Sequence, residues 1–243
     1  MQTWGLTDPG NIRQQNQDAY AIVPFGRDRV LMIVCDGMGG AKSGNVASSL
    51  AVEVFTDEVR RTQKAGMSPE KASAMLRSAL ELANRAVFEQ SQLSEDFTGM
   101  GTTLVAAWLN RDLAVIINVG DSRAYHFTKE DVRLVTRDHS MVAYMVERGE
   151  LTQEQAKLHP GKNVITRAVG TEPEVEGDVF ICRLRRDECI LLCPDGLSNE
   201  MADQEMLFEV VHGLNKSDCC QRLLHIAKKR GAPDNVTVAL AAV

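Results

Sequence analysis

Four times in this chain an apolar run has an aspartate at its edge, close to glycine or asparagine. The stretches are "VLMIVCDGMGG" from Val30, "LAVIINVGDSR" from Leu113, "CILLCPDGLS" from Cys189 and "GAPDNVTVAL" from Gly231. The runs are short, rich in β-branched residues and bounded by Gly, Asp, Asn or Pro, which predicts buried strands. A single Asp-Gly step after a strand ordinarily reads as a hairpin turn. That reading fails at Asp36 and Asp195, because a helical pattern rather than a paired strand is expected next. A core strand that stops on an unpaired carboxylate is costly, and too few basic residues stand nearby to pair Asp36, Asp121, Asp195 and Asp234. Any fold of this chain must therefore supply positive charge to several strand ends.

Further strands are expected at "QTWGLT", "DAYAIV", "TTLVAAWL", "RAYHFT", "VRLVT" and "VFICRL". Between them, Val46, Ala47, Leu50, Ala51, Val54, Phe55 and Val59 recur at helical spacing, with Ser43 as the expected cap. A second helix opens on Ser68 and Pro69 and carries Ala72, Met75, Leu76, Ala79, Leu80, Ala83 and Val87 on one face. Another helical pair is expected near 203–212 and 217–229. Helices grouped in pairs between runs of strands predict an α+β chain of antiparallel sheets covered by helices, not a βαβ alternation. The segment from Asp138 to Lys162 is helical and polar and ends in "HPGK", which suggests a surface flap at about 138–163.

The chain has 243 residues, of which 44% are hydrophobic, enough for one sizeable core, so a single domain over 1–243 is expected. A formal net charge of −6 gives no field for nucleic acid or an anionic membrane. "MQTWGLTDPG" carries neither a basic leader nor an apolar segment, and no run approaches the roughly 18 apolar residues of a spanning helix, so the expected location is cytoplasmic. Six cysteines without a C-x-x-C pair read as small core residues, Cys219 and Cys220 on a helix among them.

A divalent cation is the partner that satisfies several carboxylates at once. Mg²⁺ and Mn²⁺ take oxygen ligands from Asp, backbone carbonyls and water. Gly37 then lets its carbonyl approach an ion. With no His or Cys clustered near these aspartates, zinc is disfavoured. Two such ions about 3.5–4 Å apart hold a nucleophilic water and stabilise a phosphoryl group, which predicts metal-assisted phosphate-ester hydrolysis. Arg13 in "TDPGNIRQQNQDAY", just before the strand that begins near Asp18, offers a guanidinium fork for outward phosphate oxygens.

With these residues in view, the sequence resembles the type 2C, metal-dependent (PPM) protein phosphatases in their single-domain bacterial form. "TDPGNIRQQNQDAY", "DGMGGAKSGNVAS", "GMGTTLV", "VGDSRAYHF", "TRDHS", "CPDGLSNEM" and "PDNVTV" carry the resemblance in the family's order, between residues 5 and 240. It implies a four-layer α-β-β-α sandwich, two antiparallel sheets flanked by helix pairs. It also implies Mg²⁺- or Mn²⁺-dependent hydrolysis of phosphoserine and phosphothreonine in proteins, by direct attack of metal-bound water. By the same resemblance Asp36 bridges two metals and the Gly37 carbonyl binds one of them, while Asp195 and Asp234 complete the other. Asp18 holds metal-bound water and Arg13 binds phosphate. Asp121, shared with Asp195, serves a third metal, and the flap affects substrate choice. A Ser/Thr protein kinase is the implied counterpart, and a monomer is expected.

The chain departs from the family pattern at Gln17, where many members carry a glutamate ligand, and at Met38, where eukaryotic members carry a histidine proposed as general acid. A thioether donates no proton, so the leaving alkoxide must take one from water, His139 or another group. Ala41 and Asn45 stand where His and Glu are frequent. The competing expectation is a catalytically weak or silent phosphoprotein-binding module of the same fold. A third is a phosphatase of small phosphate esters, which differs only in substrate.

Overall fold

The computed structural model describes residues 1–39, 43–213 and 215–243. Strands β1 (Gln2–Asp8), β2 (Asp18–Pro24) and β3 (Arg29–Met38) lead into helices α1 (Gly44–Thr62) and α2 (Pro69–Ser91). Then follow β4 (Gly101–Thr102), β5 (Leu104–Asn110), β6 (Leu113–Val119), β7 (Arg123–Phe127) and β8 (Val132–Leu134). The flap carries α3 (Met141–Glu147) and α4 (Gln153–Leu158). After β9 (Asp178–Arg183) and β10 (Cys189–Cys193) come α5 (Asp195–Ser198), α6 (Asp203–Leu207), α7 (Cys219–Lys229) and β11 (Val236–Ala242).

Two antiparallel sheets result. One has the order β1-β11-β10-β7-β8, and the other runs β2-β3-β5-β6-β9 with β4 added to β3. The unbroken apolar runs follow from burial on both faces of each sheet. Along β3, Leu31, Ile33 and Cys35 face α1 and α2, whereas Val30, Met32 and Val34 face the other sheet. Along β10, Ile190 and Leu192 face that same inter-sheet layer, and Cys189, Leu191 and Cys193 pack beneath α6 and α7 with Met206, Cys220 and Leu223. The alternation of two residues per pleat thus divides the apolar side chains among three core layers. Each fully buried Leu or Ile contributes about 1.5–3 kcal/mol.

Helix α2 begins as expected, with the Ser68 side chain accepting from Lys71 N–H at 3.4 Å and Pro69 in the first turn. Ser43 stands before α1 with helical dihedrals and gives no side-chain cap, contrary to expectation. The 203–212 helix is α6 continued by a π turn, Phe208–His212. All six cysteines are free and buried.

Because neighbouring strands alternate in direction, β3, β6 and β10 end where β2, β7, β9 and β11 begin. Asp18 joins the sheets there, accepting from Thr237 Oγ1 at 2.6 Å across the sandwich.

Candidate active site

All five predicted aspartates lie at that end. Asp18 opens β2, Asp121 follows β6, Asp195 follows β10 and Asp234 precedes β11. Asp36 differs slightly from expectation, since β3 runs two residues past it to pair Gly37 and Met38 with β4. The antiparallel register sets Asp18 directly opposite Asp36. Like charges in that position destabilise a sheet. The backbone of Asp36 is nonetheless held firmly: its N–H donates to Thr103 Oγ1 at 2.9 Å, and its carbonyl accepts from Thr103 N–H at 2.9 Å and Thr102 Oγ1 at 2.8 Å.

The electrostatics follow from this crowding. Burial pushes Asp18 up to about 7, with Asp234 and Asp195 adding to the effect and the Thr237 hydrogen bond opposing it. Burial, then the charges of Asp18, Asp195, Asp234 and Asp121, hold Asp36 well above the ordinary carboxylate range. Asp121 is likewise pushed up to about 7 by burial, Asp195 and Asp138, against Arg123. Asp195 is raised by burial and by Asp234. Among the described residues, one oxygen of the buried Asp18, Oδ1, finds no hydrogen-bond partner.

Two arginines meet this acidic group. Arg13 Nη2 lies 2.9 Å from Asp234 Oδ2, and both side chains are partly exposed. Arg123 forks onto Asp138, with Nη2 2.7 Å from Oδ2, so most of its charge is already matched. Cys35, beside Asp36, is fully buried, and burial with the Asp18 and Asp36 charges raises its thiol well above 9.0, leaving no soft thiolate in the set. The donor set is oxygen only, and its orphaned carboxylate oxygen and uncompensated charge suit a hard divalent cation. Among the described residues no three His, Cys, Asp or Glu side chains stand close enough to form a closed ligand set. The carboxylates frame the site rather than converge on a point.

Gly37 is required for a reason beyond an exposed carbonyl. A Cβ there would stand 2.0 Å from the Gly44 carbonyl oxygen and 2.7 Å from that of Gln17, so three backbone segments meet at this position. Gln17 contributes through its backbone, its carbonyl accepting from Gly37 N–H at 3.1 Å and Ser48 Oγ at 2.6 Å. Its side chain lies against Gly44. Met38 pairs with Gly101, and Asn45 is exposed at the start of α1. Ala41 falls outside the described residues.

His139 is 6% exposed, and both ring nitrogens are engaged: Nδ1 accepts from Gly120 N–H at 3.2 Å and Nε2 lies 3.3 Å from Asp178 Oδ2. It is not free to protonate a leaving group. Beside Asp121 and Asp195 a cavity of about 540 Å³ opens under the flap, walled by Val142, Val146 and Ala156 on one side and Met201 on the other.

Several residues that organise the site were not singled out from sequence. Thr102 and Thr103 pin Asp36, Thr237 holds Asp18, and Asn235 bonds Gln17 N–H, Pro9 O and Gln15 O at 2.8, 3.0 and 3.0 Å. Their one signal is a polar side chain in or beside an otherwise apolar strand.

A sequence model of the family described as protein phosphatase 2C matches residues 12–231. The chain belongs to the protein phosphatase 2C family. Serine/threonine phosphatase stp of Listeria welshimeri is 36% identical over 234 residues, covering 96% of this chain and 92% of that protein. The crystal structure of serine/threonine phosphatase Stp1 from Staphylococcus aureus superposes with a TM-score of 0.92 at 35% identity, covering 99% of this chain and 94% of that one. The catalytic domain of serine threonine protein phosphatase PstP in complex with two manganese ions superposes with a TM-score of 0.84 at 29% identity, covering 99% and 97%. The two helix-flanked antiparallel sheets are thus the protein phosphatase 2C sandwich, and catalysis in this family is metal-dependent.

Proposed function

We propose that this protein is a metal-dependent serine/threonine protein phosphatase that hydrolyses phosphoserine and phosphothreonine in proteins. The observation that carries the reading is the direct opposition of Asp18 and Asp36 across β2 and β3, with Asp121, Asp195 and Asp234 at the same end of the sandwich. Asp18, Asp36, Asp121 and Asp195 hold protons more tightly than ordinary carboxylates, and this acidic group needs cationic partners beyond the one arginine on Asp234.

In this reading Asp36 would hold two cations, Mn²⁺ or Mg²⁺, with the Gly37 carbonyl as a further oxygen donor to one of them. Asp195 and Asp234 complete the second, and Asp121 with Asp195 would hold a third. When bound, such ions polarise the phosphoryl group and generate a water nucleophile at neutral pH. The chain's own residues do the rest. Asp18, fixed by Thr237, would orient and deprotonate water. Arg13, now on Asp234, offers its second guanidinium nitrogen to the phosphate. Met38 donates nothing, so solvent protonates the leaving alkoxide.

The whole of 1–243 is read as one catalytic domain acting as a monomer in the cytoplasm and reversing a Ser/Thr protein kinase. Among the described residues no helix is long and apolar enough to cross a membrane. A silent binding module would be expected to lose the acidic set, and Asp18, Asp36, Asp121, Asp195 and Asp234 are all present. The test is hydrolysis of a phosphothreonine peptide and of p-nitrophenyl phosphate, with and without Mn²⁺, by wild type and Asp36→Asn. Wild type is expected to hydrolyse both, the peptide at least as efficiently, and the variant to be inactive. Equal rates at saturating Mn²⁺ would overturn the enzyme reading.

A further inference from the structure

We propose that His139 is a positioning residue: it clamps the Gly120–Asp121 turn in the conformation from which Asp121 takes a divalent cation, and it ties that turn to the base of the flap. The inference rests on the reading of Asp121 as a cation ligand given above.

The turn depends on backbone geometry that only a few contacts enforce. Gly120 has φ +97, in the left-handed region, and sets the direction in which Asp121 leaves β6. Both of its backbone polar groups are bound by the same residue. Its N–H donates to His139 Nδ1 at 3.2 Å, and its carbonyl accepts from His139 N–H at 2.9 Å. Asn118 Nδ2 reinforces the arrangement by donating to Gly120 O at 3.2 Å and to Arg137 O at 3.1 Å. On the other side the turn packs on Thr103, whose Cγ2 would stand 2.7 Å from a Cβ at position 120. Thr103 is the residue whose hydroxyl receives Asp36 N–H and meets Ser122 Oγ at 2.7 Å. A displaced Gly120 would therefore disturb Asp121 and the support of Asp36 together.

The ring can play only one part. Because Nδ1 accepts from an amide, it must present a lone pair, and the proton of the neutral imidazole sits on Nε2, which faces Asp178 Oδ2 at 3.3 Å and has Arg167 Nη1 at 3.4 Å beside it. Asp178 is held in turn by Arg167, Nη1 to Oδ1 at 3.1 Å. Asp178 thus selects the tautomer, and the tautomer presents the acceptor to Gly120. Partners outside a metal's own ligands commonly fix the geometry of those ligands in this indirect way.

The flap joins at the same point. Its entering strand passes through His139 to Ser140, whose hydroxyl accepts from Ala143 N–H at the start of α3. Its returning strand comes back through Ile165, bridged to Ser140, and through Thr166, whose N–H donates to His139 O at 2.8 Å. The two ends of the flap and the Asp121 turn thus meet at one buried residue, His139, through its backbone and its ring.

The test compares wild type with His139→Ala, His139→Asn and Asp121→Ala. An asparagine at 139 places an amide oxygen near the position of Nδ1 and keeps an acceptor for Gly120. Mn²⁺ binding is titrated directly, by the paramagnetic resonance of free Mn²⁺. Asp121→Ala and His139→Ala are expected to weaken the weakest class of Mn²⁺ site by about tenfold or more, with the tight sites unchanged and His139→Asn close to wild type. Wild-type binding in His139→Ala, or a His139→Asn as impaired as the alanine variant, would overturn the clamp. Unchanged binding in Asp121→Ala would instead overturn the assignment of Asp121. Long-range ¹⁵N–¹H spectra of the wild-type histidines provide a readout independent of any cation: His139 is expected as the Nε2–H tautomer, and an Nδ1–H tautomer would refute the clamp by itself.

Discussion

Replacing Asp18 with asparagine should make the cation-free protein more stable at neutral pH and flatten its dependence on pH. Asp18 is buried opposite Asp36 and titrates near 7 in the fold rather than at 3.8. The folded state therefore holds this proton more tightly than the unfolded chain does, and stability falls as pH rises. The loss begins near the unfolded value of 3.8 and is complete once pH passes the raised folded value. Asparagine carries no proton to lose, retains an oxygen for the Thr237 hydroxyl, and turns its amide donor toward Asp36. Urea unfolding in EDTA, followed by circular dichroism between pH 4 and pH 8, should show wild type losing stability more steeply than Asp18→Asn, with a difference on the order of a few kcal/mol across the range. Asp36, Asp121 and Asp195 are raised in the same direction, so part of the decline persists in the variant. Parallel profiles for the two proteins would refute the argument that Asp18 is strained by burial and like charge.

Two further variants test the same geometry. Thr237→Val removes the 2.6 Å hydrogen bond to Asp18 and that to Thr7 at 2.7 Å, and should cost about 1–3 kcal/mol in urea unfolding, because a buried carboxylate oxygen loses its donor; a cost near zero would mean that water replaces the hydroxyl. Arg13→Ala, at a half-exposed side chain on a partly exposed ion pair, should change stability by less than about 0.5 kcal/mol. The same variant should raise KM for a phosphothreonine peptide, and unaltered steady-state kinetics would remove Arg13 from the phosphate site.

Most of the fold was legible because the strands are pleated surfaces buried on both sides. Runs such as Val30–Cys35 and Ile190–Leu192 could belong to nothing else once helical periodicity was absent, and the one-sided faces of α1 and α2 were equally plain. The flap's borders followed from its change in polarity. Hidden instead were relationships that depend on register and on distant segments. No local pattern reveals that Asp18 faces Asp36, or that Thr237 reaches Asp18 from 219 residues away. Gly37 was expected to expose its carbonyl to an ion, whereas the groups that crowd its Cα are the Gly44 and Gln17 carbonyls, which tertiary packing alone brings there. Ser43 failed as a cap because its helical dihedrals continue the chain into α1 rather than turning a hydroxyl back on it. His139 was legible as a histidine near the site, but its commitment to Gly120 and Asp178 depends on pairing between the flap base, β6 and β9.

The central claim is that Asp36 lies between two hard cations at the open end of the sandwich. Crystals grown in MnCl₂, with diffraction recorded on both sides of the manganese edge, test it directly. Two strong anomalous peaks should flank the Asp36 carboxylate, one also near Asp195 and Asp234. A map with no peak beside Asp36, from crystals of protein that hydrolyses a phosphothreonine peptide in the same buffer, would contradict it.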